Sequence, residues 1–124
     1  MMNHRHHVII ALASNHEAEK NLFEAKRLLE QILFDIRYSE CKCSKAYGKK
    51  SKGTYFNQLL YATTDLQIEE LVNRLKDIEI EMGRTAEARE LDMVCIDLDL
   101  MLYDEQRFHL RDWERPYIQD LLLE

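Results

Sequence analysis

The chain has 124 residues, of which 46% are hydrophobic and 32% are charged, with only three glycines, three cysteines and one proline. This composition predicts a single domain over residues 1–124 and argues against long disordered or low-complexity segments. The net charge of −6 disfavours nucleic acid as a partner, and no apolar run reaches the ~20 residues of a membrane helix, so we expect a cytoplasmic protein with reduced thiols.

The first predicted elements are a strand and a helix. Residues 7–13, read HVIIALA, form a short β-branched run that is typical of a buried strand. Ser14 and Glu17 have the spacing of a capping box. A helix of about four to five turns is predicted to follow, because apolar residues recur along one face. These residues are Leu22, Ala25, Leu28, Leu29 and Ile32.

Two strands and a second helix come next. Residues 34–47 alternate in polarity and residues 55–63 (YFNQLLYAT) have the same character, so the two segments are predicted to pair as a hairpin. Thr64 and Gln67 form a second capping-box signature, and Gly83 predicts the end of the helix. The apolar stripe of that helix consists of Ile68, Leu71, Val72, Leu75 and Ile78.

The last elements complete a recognisable order. Residues 84–92 read as a loop or a short helix, and residues 94–103 (VCIDLDLMLY) as the strongest strand of the chain. A terminal helix is predicted from about Glu114, with Pro116 in its first turn. The order β-α-β-β-α-β plus a terminal helix predicts an α+β, ferredoxin-like split βαβ fold. Both main helices would cover one face of an antiparallel sheet and leave the other face open for a ligand.

The last strand carries the strongest candidate site. Asp97 and Asp99 share one face of it, while Ile96, Leu98, Leu100 and Leu102 share the face turned to the helices. Two carboxylates ~7 Å apart at their Cα atoms could hold Mg²⁺, which would relieve their repulsion and bridge them to phosphates. They could equally be solvated residues on an exposed sheet face.

Other residues could complete a phosphate or heterocycle site. Lys45, Lys49, Lys50 and Lys52 occupy the loop between the hairpin strands, and they are either phosphate ligands or solubilising charges. Arg84 and Arg115 are further candidate phosphate ligands. Tyr55 and Asn57 lie two apart on a strand, so one face offers a flat ring and an amide that can hydrogen-bond the edge of a heterocycle. Tyr55 could equally be a half-buried aromatic residue of the sheet.

These marks, in this order over residues 8–124, resemble those of the 6-hydroxymethyl-7,8-dihydropterin pyrophosphokinases of folate biosynthesis. The first strand ends ALASN where that family has a GSN turn, and Tyr55-Phe56-Asn57 matches an aromatic-x-Asn motif. Glu79 followed by Met82-Gly83-Arg84 matches the end of the family's second helix. The run IDLDLML over residues 96–102 is similar to its DLDI-type strand and is the most specific of these motifs.

The resemblance implies a reaction and a set of roles. Diphosphate would pass from ATP to the hydroxymethyl group of the pterin, with two Mg²⁺ ions on Asp97 and Asp99 and with Arg84 as a further catalytic residue. The implied pterin ligands are Ser44, Tyr47, Tyr55, Asn57 and Tyr117. The implied nucleotide ligands are Lys76, Glu79, Leu100, His109 and Arg115.

One segment departs from the family pattern. Ahead of the aspartates the family usually has an arginine-rich run with an aromatic residue and Gly-Pro, whereas this chain reads RTAEARELDMV. Val94 stands where an arginine is expected, Leu91 where the aromatic residue is expected, and Asp92-Met93 replace Gly-Pro. Three functions therefore stay open: a pyrophosphokinase, a relative that binds pterin or nucleotide without turnover, and a ferredoxin-like regulatory module. The oligomeric state is also left open.

Overall fold

The computed structural model describes residues 5–45 and 54–122. The strands are β1 (His6–Ser14), β2 (Phe34–Tyr38), β3 (Lys42–Lys45), β4 (Thr54–Thr64), β5 (Asp97–Tyr103) and β6 (Gln106–Arg107). The helices are α1 (Ala18–Leu29), α2 (Ile68–Glu81), α3 (Ala86–Glu90), α4 (Leu110–Trp113) and α5 (Pro116–Leu122). None of these described helices combines the length and the apolar character that crossing a bilayer requires.

All six strands belong to one antiparallel sheet. Its order is β2-β4-β1-β5-β6, and β3 pairs with a further part of β4. Strand β1 lies at the centre, between β4 and β5, because it is apolar on both faces: Val8 and Ile10 are buried on one side and Ile9 on the other. The predicted α+β, ferredoxin-like order is confirmed.

The main core lies between the sheet and the two long helices. The buried residues of α1 are Leu22, Ala25 and Leu29, and those of α2 include Leu71, Leu75 and Ile78. They pack on the apolar residues of the central strands, among them Ile10, Leu60, Leu98 and Leu100. Burial of apolar side chains at helical spacing is what stabilises both helices on this face.

The second face of the sheet is covered along part of its length. Trp113 of α4 and the α5 residues Ile118 and Leu121 pack on Ile9, Leu59 and Met101. Helix α5 begins at Pro116, two residues after the predicted start at about Glu114, and Pro116 lies in its first turn as predicted. Among the residues that the structure describes, the open stretch of this face lies at the end where β5 begins, and it contains Asp97 and Asp99.

Both predicted capping boxes are wrong. Helix α1 begins at Ala18 after Glu17 in a left-handed conformation (φ 39), and it has only 12 residues. The Ser14 hydroxyl instead donates to the carbonyl oxygens of His16 and Val94. Gln67 precedes α2 without a side-chain cap, and Thr64 donates to the carbonyl oxygen of Ile32. Ser and Thr hydroxyls that bond to nearby loops are not available to cap a helix.

The alternation predicted for the last strand holds only up to a bulge. Ile10 pairs with Leu100 while Ile9 pairs with Leu102, so Met101 is an extra residue in β5. Met101 and Leu102 both contact the second-face cluster. The prediction that Leu102 faces the helices is therefore wrong, because a bulge re-aims the residues that follow it.

Candidate functional site

The two aspartates lie at the beginning of β5, before the bulge. Asp97 pairs with Ala13 and Asp99 with Ala11, so their neighbours on β1 have small side chains. On the other side, β6 pairs only with Leu102 and Tyr103 within the described residues. Both carboxylates therefore stand next to an uncovered stretch of the sheet edge, and they line two cavities that meet there.

The first cavity lies between α2, α3 and the edge of β5, with a volume of about 580 Å³. Its wall is apolar along Val72, Leu75 and Phe108. Its charged lining residues include Arg84 and His109 beside the aspartates, together with Lys76, Glu79 and Arg89. A cavity with an apolar wall and cations at one end suits a ligand that has a ring and a polyphosphate.

The second cavity lies on the sheet face opposite the long helices and has a volume of about 200 Å³. Its aromatic members are Tyr55 and Tyr117, and its polar members include Ser44, Asn57, Asp112 and Arg115. This volume suits a small bicyclic ligand better than a nucleotide. Because Asp97 and Asp99 line both cavities, ligands in the two cavities would meet at these carboxylates.

Asn57 is a buried, hydrogen-bonded polar residue of the second cavity. It is only 5% exposed. Its Nδ2 donates to the carbonyl oxygen of Lys42 at 3.0 Å and to the Ser44 hydroxyl at 2.7 Å, which fixes the amide against β3. Within the described residues, no donor reaches Oδ1, so this oxygen is the acceptor left for a ligand.

Glu79 organises the junction of α2 and β5. Its Oε2 accepts from the backbone N–H of Leu98 at 2.7 Å, and its Oε1 lies 2.9 Å from the guanidinium of Arg84. Arg84 also reaches Asp97 Oδ1 at 3.4 Å. Burial raises the pKa of Glu79 to about 7, with a further contribution from Asp97, although the Leu98 N–H and Arg84 oppose the shift.

The raised pKa of Glu79 is expected to make the free energy of unfolding fall as pH rises toward neutrality. A carboxyl whose pKa is raised on folding contributes stability that is present below its unfolded pKa and lost above the folded one. With a folded value of about 7 against 4.5, the unfolding free energy should fall by about 2 to 3 kcal/mol as pH rises from 5 to 8. Glu79→Gln, which keeps an acceptor for Leu98, should flatten this slope in urea titrations; an unchanged slope would contradict the assignment.

Asp99 lies between Asp97 and His109, and one third of its side chain is exposed. Burial, and then the nearby Asp97 carboxylate, raise the pKa of Asp99 to about 6. His109 Nε2 lies 3.8 Å from Asp99 Oδ1 and opposes the shift. A divalent cation would offset the repulsion between the two aspartates, and their oxygen donors are the type that Mg²⁺ prefers. The donor set therefore fits the magnesium that the sequence suggested.

Sequence reasoning missed Asp112. One donor atom from each of Asp99, His109 and Asp112 lies within 4.8 Å of the other two. Asp112 belongs to the four-residue helix α4, which was not predicted. The available signal was the spacing of three between His109 and Asp112, which places two metal-ligating side chains on one side of a helical turn.

The structure brings most of the predicted ligands to these two cavities. Lys76, Glu79, Arg84, Leu100 and His109 line the first cavity, and Ser44, Tyr55, Asn57 and Tyr117 line the second. Arg115, suggested as a nucleotide ligand, lines the second cavity, with its Nε 3.0 Å from Asp112 Oδ1. Tyr47, Lys49, Lys50 and Lys52 lie outside the described residues, as does the side chain of Lys45.

Comparison with known proteins gives a family match over most of the chain. Residues 9–124 match the family of 7,8-dihydro-6-hydroxymethylpterin-pyrophosphokinases. A folate synthesis bifunctional protein of Arabidopsis thaliana is 31% identical over 121 residues, which are 90% of this chain and 25% of that protein. The 2-amino-4-hydroxy-6-hydroxymethyldihydropteridine pyrophosphokinase of Aquifex aeolicus is 32% identical over 100 residues, covering 79% of this chain and 62% of that protein. The chain thus spans less than two thirds of either relative.

Proposed function

Because this chain belongs to the 7,8-dihydro-6-hydroxymethylpterin-pyrophosphokinase family, we propose that it transfers diphosphate from ATP to 6-hydroxymethyl-7,8-dihydropterin in folate biosynthesis. The observation that carries the proposal is that Asp97 and Asp99 line both cavities. A nucleotide in the larger cavity and a pterin in the smaller one would meet at these carboxylates. Transfer between two substrates requires such a shared boundary.

In the proposed reaction the pterin hydroxyl oxygen attacks the β-phosphorus of ATP. The bond from that phosphorus to the α,β-bridging oxygen breaks, AMP leaves with that oxygen, and the proton of the pterin hydroxyl is released to solvent. Asp97 and Asp99 would hold the Mg²⁺ ions, which neutralise charge on the phosphates when bound. No protein nucleophile is required, so the chain's contribution is to position the two substrates and to supply charge.

Arg84 and Arg89 would supply positive charge to the phosphates. Both line the first cavity together with Asp97 and Asp99, and both also line a third cavity of about 150 Å³ that includes Val94. Arg84 is held at Asp97 by its pairing with Glu79. These two arginines support an active enzyme even though Val94 stands where the resemblance leads one to expect an arginine.

The pterin would lie in the second cavity between Tyr55 and Tyr117. Asn57 Oδ1 would accept from an N–H on the pterin edge, since the Asn57 amide hydrogens already bond to Lys42 and Ser44. The small volume of about 200 Å³ would hold a bicyclic ring and exclude a purine nucleotide. The two cavities would thus discriminate between two ligands that both carry fused nitrogen heterocycles.

The direct test is an assay of AMP release from ATP and Mg²⁺ in the presence of 6-hydroxymethyl-7,8-dihydropterin. Release that depends on the pterin is the expected result, with pterin omitted as the control. Calorimetric titration of pterin into the protein, with a nonhydrolysable ATP analogue present, runs alongside. Pterin binding without AMP would instead identify a binding protein, and binding of neither ligand would favour a ferredoxin-like module that associates through a sheet edge.

Binding of Mg²⁺ is expected to weaken as pH falls below 6. The pKa of Asp99 is about 6, and a protonated carboxyl is not a ligand for Mg²⁺, so protons compete with the metal below that value. The apparent Mg²⁺ affinity should fall about tenfold per pH unit there, as measured by calorimetry with the ATP analogue between pH 5 and 8. A flat profile across this range would remove Asp99 from the metal site.

A further inference from the structure

A histidine and a carboxylate from the segment after β6 stand beside Asp99. His109 immediately precedes α4, and Asp112 lies within α4. The backbone N–H of Asp112 donates to the carbonyl oxygen of His109 at 2.8 Å, so one tight turn links the two residues. Their donor atoms and that of Asp99 all lie within 4.8 Å of one another.

We propose that Asp99, His109 and Asp112 form a binding site for a divalent first-row transition ion such as Mn²⁺, which this chain takes in preference to Mg²⁺. Two carboxylates and one imidazole nitrogen form a mixed donor set. Mg²⁺ prefers oxygen ligands and retains its waters, whereas Mn²⁺ accepts carboxylate oxygens and, as a first-row transition ion, also binds an imidazole nitrogen. The histidine is therefore the residue that gives the site its selectivity.

The three donors need only a small rearrangement to bind one ion. Ligand bonds of ~2.1 Å place neighbouring donors roughly 3 Å apart, and His109 Nε2 is already 3.8 Å from Asp99 Oδ1. The imidazole is 45% exposed, so the ring can turn toward the carboxylates without displacing core residues.

Arg115 positions the third donor. Its Nε lies 3.0 Å from Asp112 Oδ1, which orients the carboxylate and leaves Oδ2 for a metal. Hydrogen-bonded partners of this kind hold a ligating carboxylate in place. Three protein ligands beside two open cavities leave further coordination positions for phosphate oxygens or water, as in catalytic rather than structural metal sites.

Use of this ion in diphosphate transfer rests on the proposed function, but binding of the ion does not. The test therefore titrates MnCl₂ into the full chain without ATP or pterin and follows free Mn²⁺ by electron paramagnetic resonance. MgCl₂ competition gives the relative affinity. If no AMP were released, the Mn²⁺ titration would still test the metal site. If no Mn²⁺ bound, the AMP assay would still test the proposed function.

The wild-type chain is expected to bind one Mn²⁺ about tenfold or more tightly than Mg²⁺. Asp112→Asn and His109→Gln should each weaken Mn²⁺ binding by about tenfold or more. Glu114→Gln is the matched control, because it removes one exposed charge next to α4 without removing a donor, and it should change the affinity less than about twofold.

Pulsed electron paramagnetic resonance of the wild-type complex keeps the test independent of how the variants fold. Coupling of the bound Mn²⁺ to one imidazole nitrogen is expected, and it should disappear in His109→Gln. Equal affinity for Mn²⁺ and Mg²⁺, no nitrogen coupling in the wild type, or variants that bind Mn²⁺ as the wild type does would each overturn the proposal.

Discussion

Replacing Asp99 by asparagine is expected to lower pterin-dependent AMP release by about 10²- to 10³-fold. The substitution keeps the shape of the side chain and removes the charge that would hold the metal at the boundary of the two cavities. Nucleotide affinity in the presence of Mg²⁺ should fall with it. Steady-state rates and calorimetry with the nonhydrolysable ATP analogue measure the two effects separately.

The same substitution should leave stability at pH 8 unchanged or raised. Burial and the charge of Asp97 both raise the pKa of Asp99, so at this pH the folded chain holds a carboxylate in an unfavourable place. A neutral amide removes that cost, as is common where a functional residue is not optimal for stability. Asp104→Asn is the control, because Asp104 follows the other end of β5 and pairs there with His6. Asp99→Asn activity as high as that of this control would rule out the metal role.

Asp97 is expected to respond differently from Asp99. Its Oδ1 lies 3.4 Å from Arg84, which also pairs with Glu79. Loss of the Asp97 charge therefore leaves Arg84 paired with Glu79 alone, and it also weakens the metal site. The two aspartates are equivalent in the sequence pattern, yet their partners give them different electrostatic surroundings.

The order of the elements could be predicted from the sequence because the main core depends on two simple periods. The apolar stripes of the two long helices, which include Leu22 and Leu71, pack against the continuous apolar run of β1. Gly83 follows the end of α2 and has a φ of 109. Glycine adopts this conformation without strain, so Gly83 correctly predicted where the helix ends. These features are local consequences of helix and strand geometry.

The features that were missed depend on contacts between distant segments. Ser14 and Val94 are 80 residues apart, and this contact removes the hydroxyl that a capping box would require. The bulge at Met101 arises from the register with β1, and one strand's pattern does not contain that information. Helix α4 is too short to show a period, so the spacing of three between His109 and Asp112 was the local signal that remained for Asp112.

Within the candidate site, sequence reasoning succeeded where strand alternation sets the direction of a side chain. Asp97, Asp99, Tyr55 and Asn57 all line the second cavity, in agreement with their shared faces. It missed Asp112, which the four-residue helix α4 brings to the site. His109, Arg115 and Tyr117 come from the same part of the chain, and they were named only because the chain resembles a family, since no strand period sets their direction.

Trp113→Ala is expected to destabilise the chain by about 3–5 kcal/mol. The indole is buried in the cluster formed by Ile9, Met101 and Leu121, its Nε1 donates to the carbonyl oxygen of Phe108 at 2.9 Å, and the guanidinium of Arg107 lies 4.5 Å over the ring. Trp113→Phe should cost less, about 1–3 kcal/mol, because it keeps an aromatic ring and loses the N–H. Phe23→Ala is the control: this phenylalanine is 70% exposed, so its loss should change stability by less than about 0.5 kcal/mol.

The loss of Trp113 should also alter the second cavity. Trp113 packs on the sheet and so holds in place the segment that contains Asp112, Arg115 and Tyr117. Urea titration measures the stability of each variant, and pterin titration under conditions where the variant remains folded measures the cavity. We expect Trp113→Ala to weaken pterin binding more than Trp113→Phe does. If folded Trp113→Ala bound pterin as tightly as Phe23→Ala, the pterin would not depend on the position of α4 and α5, and the contact proposed for Tyr117 would be wrong.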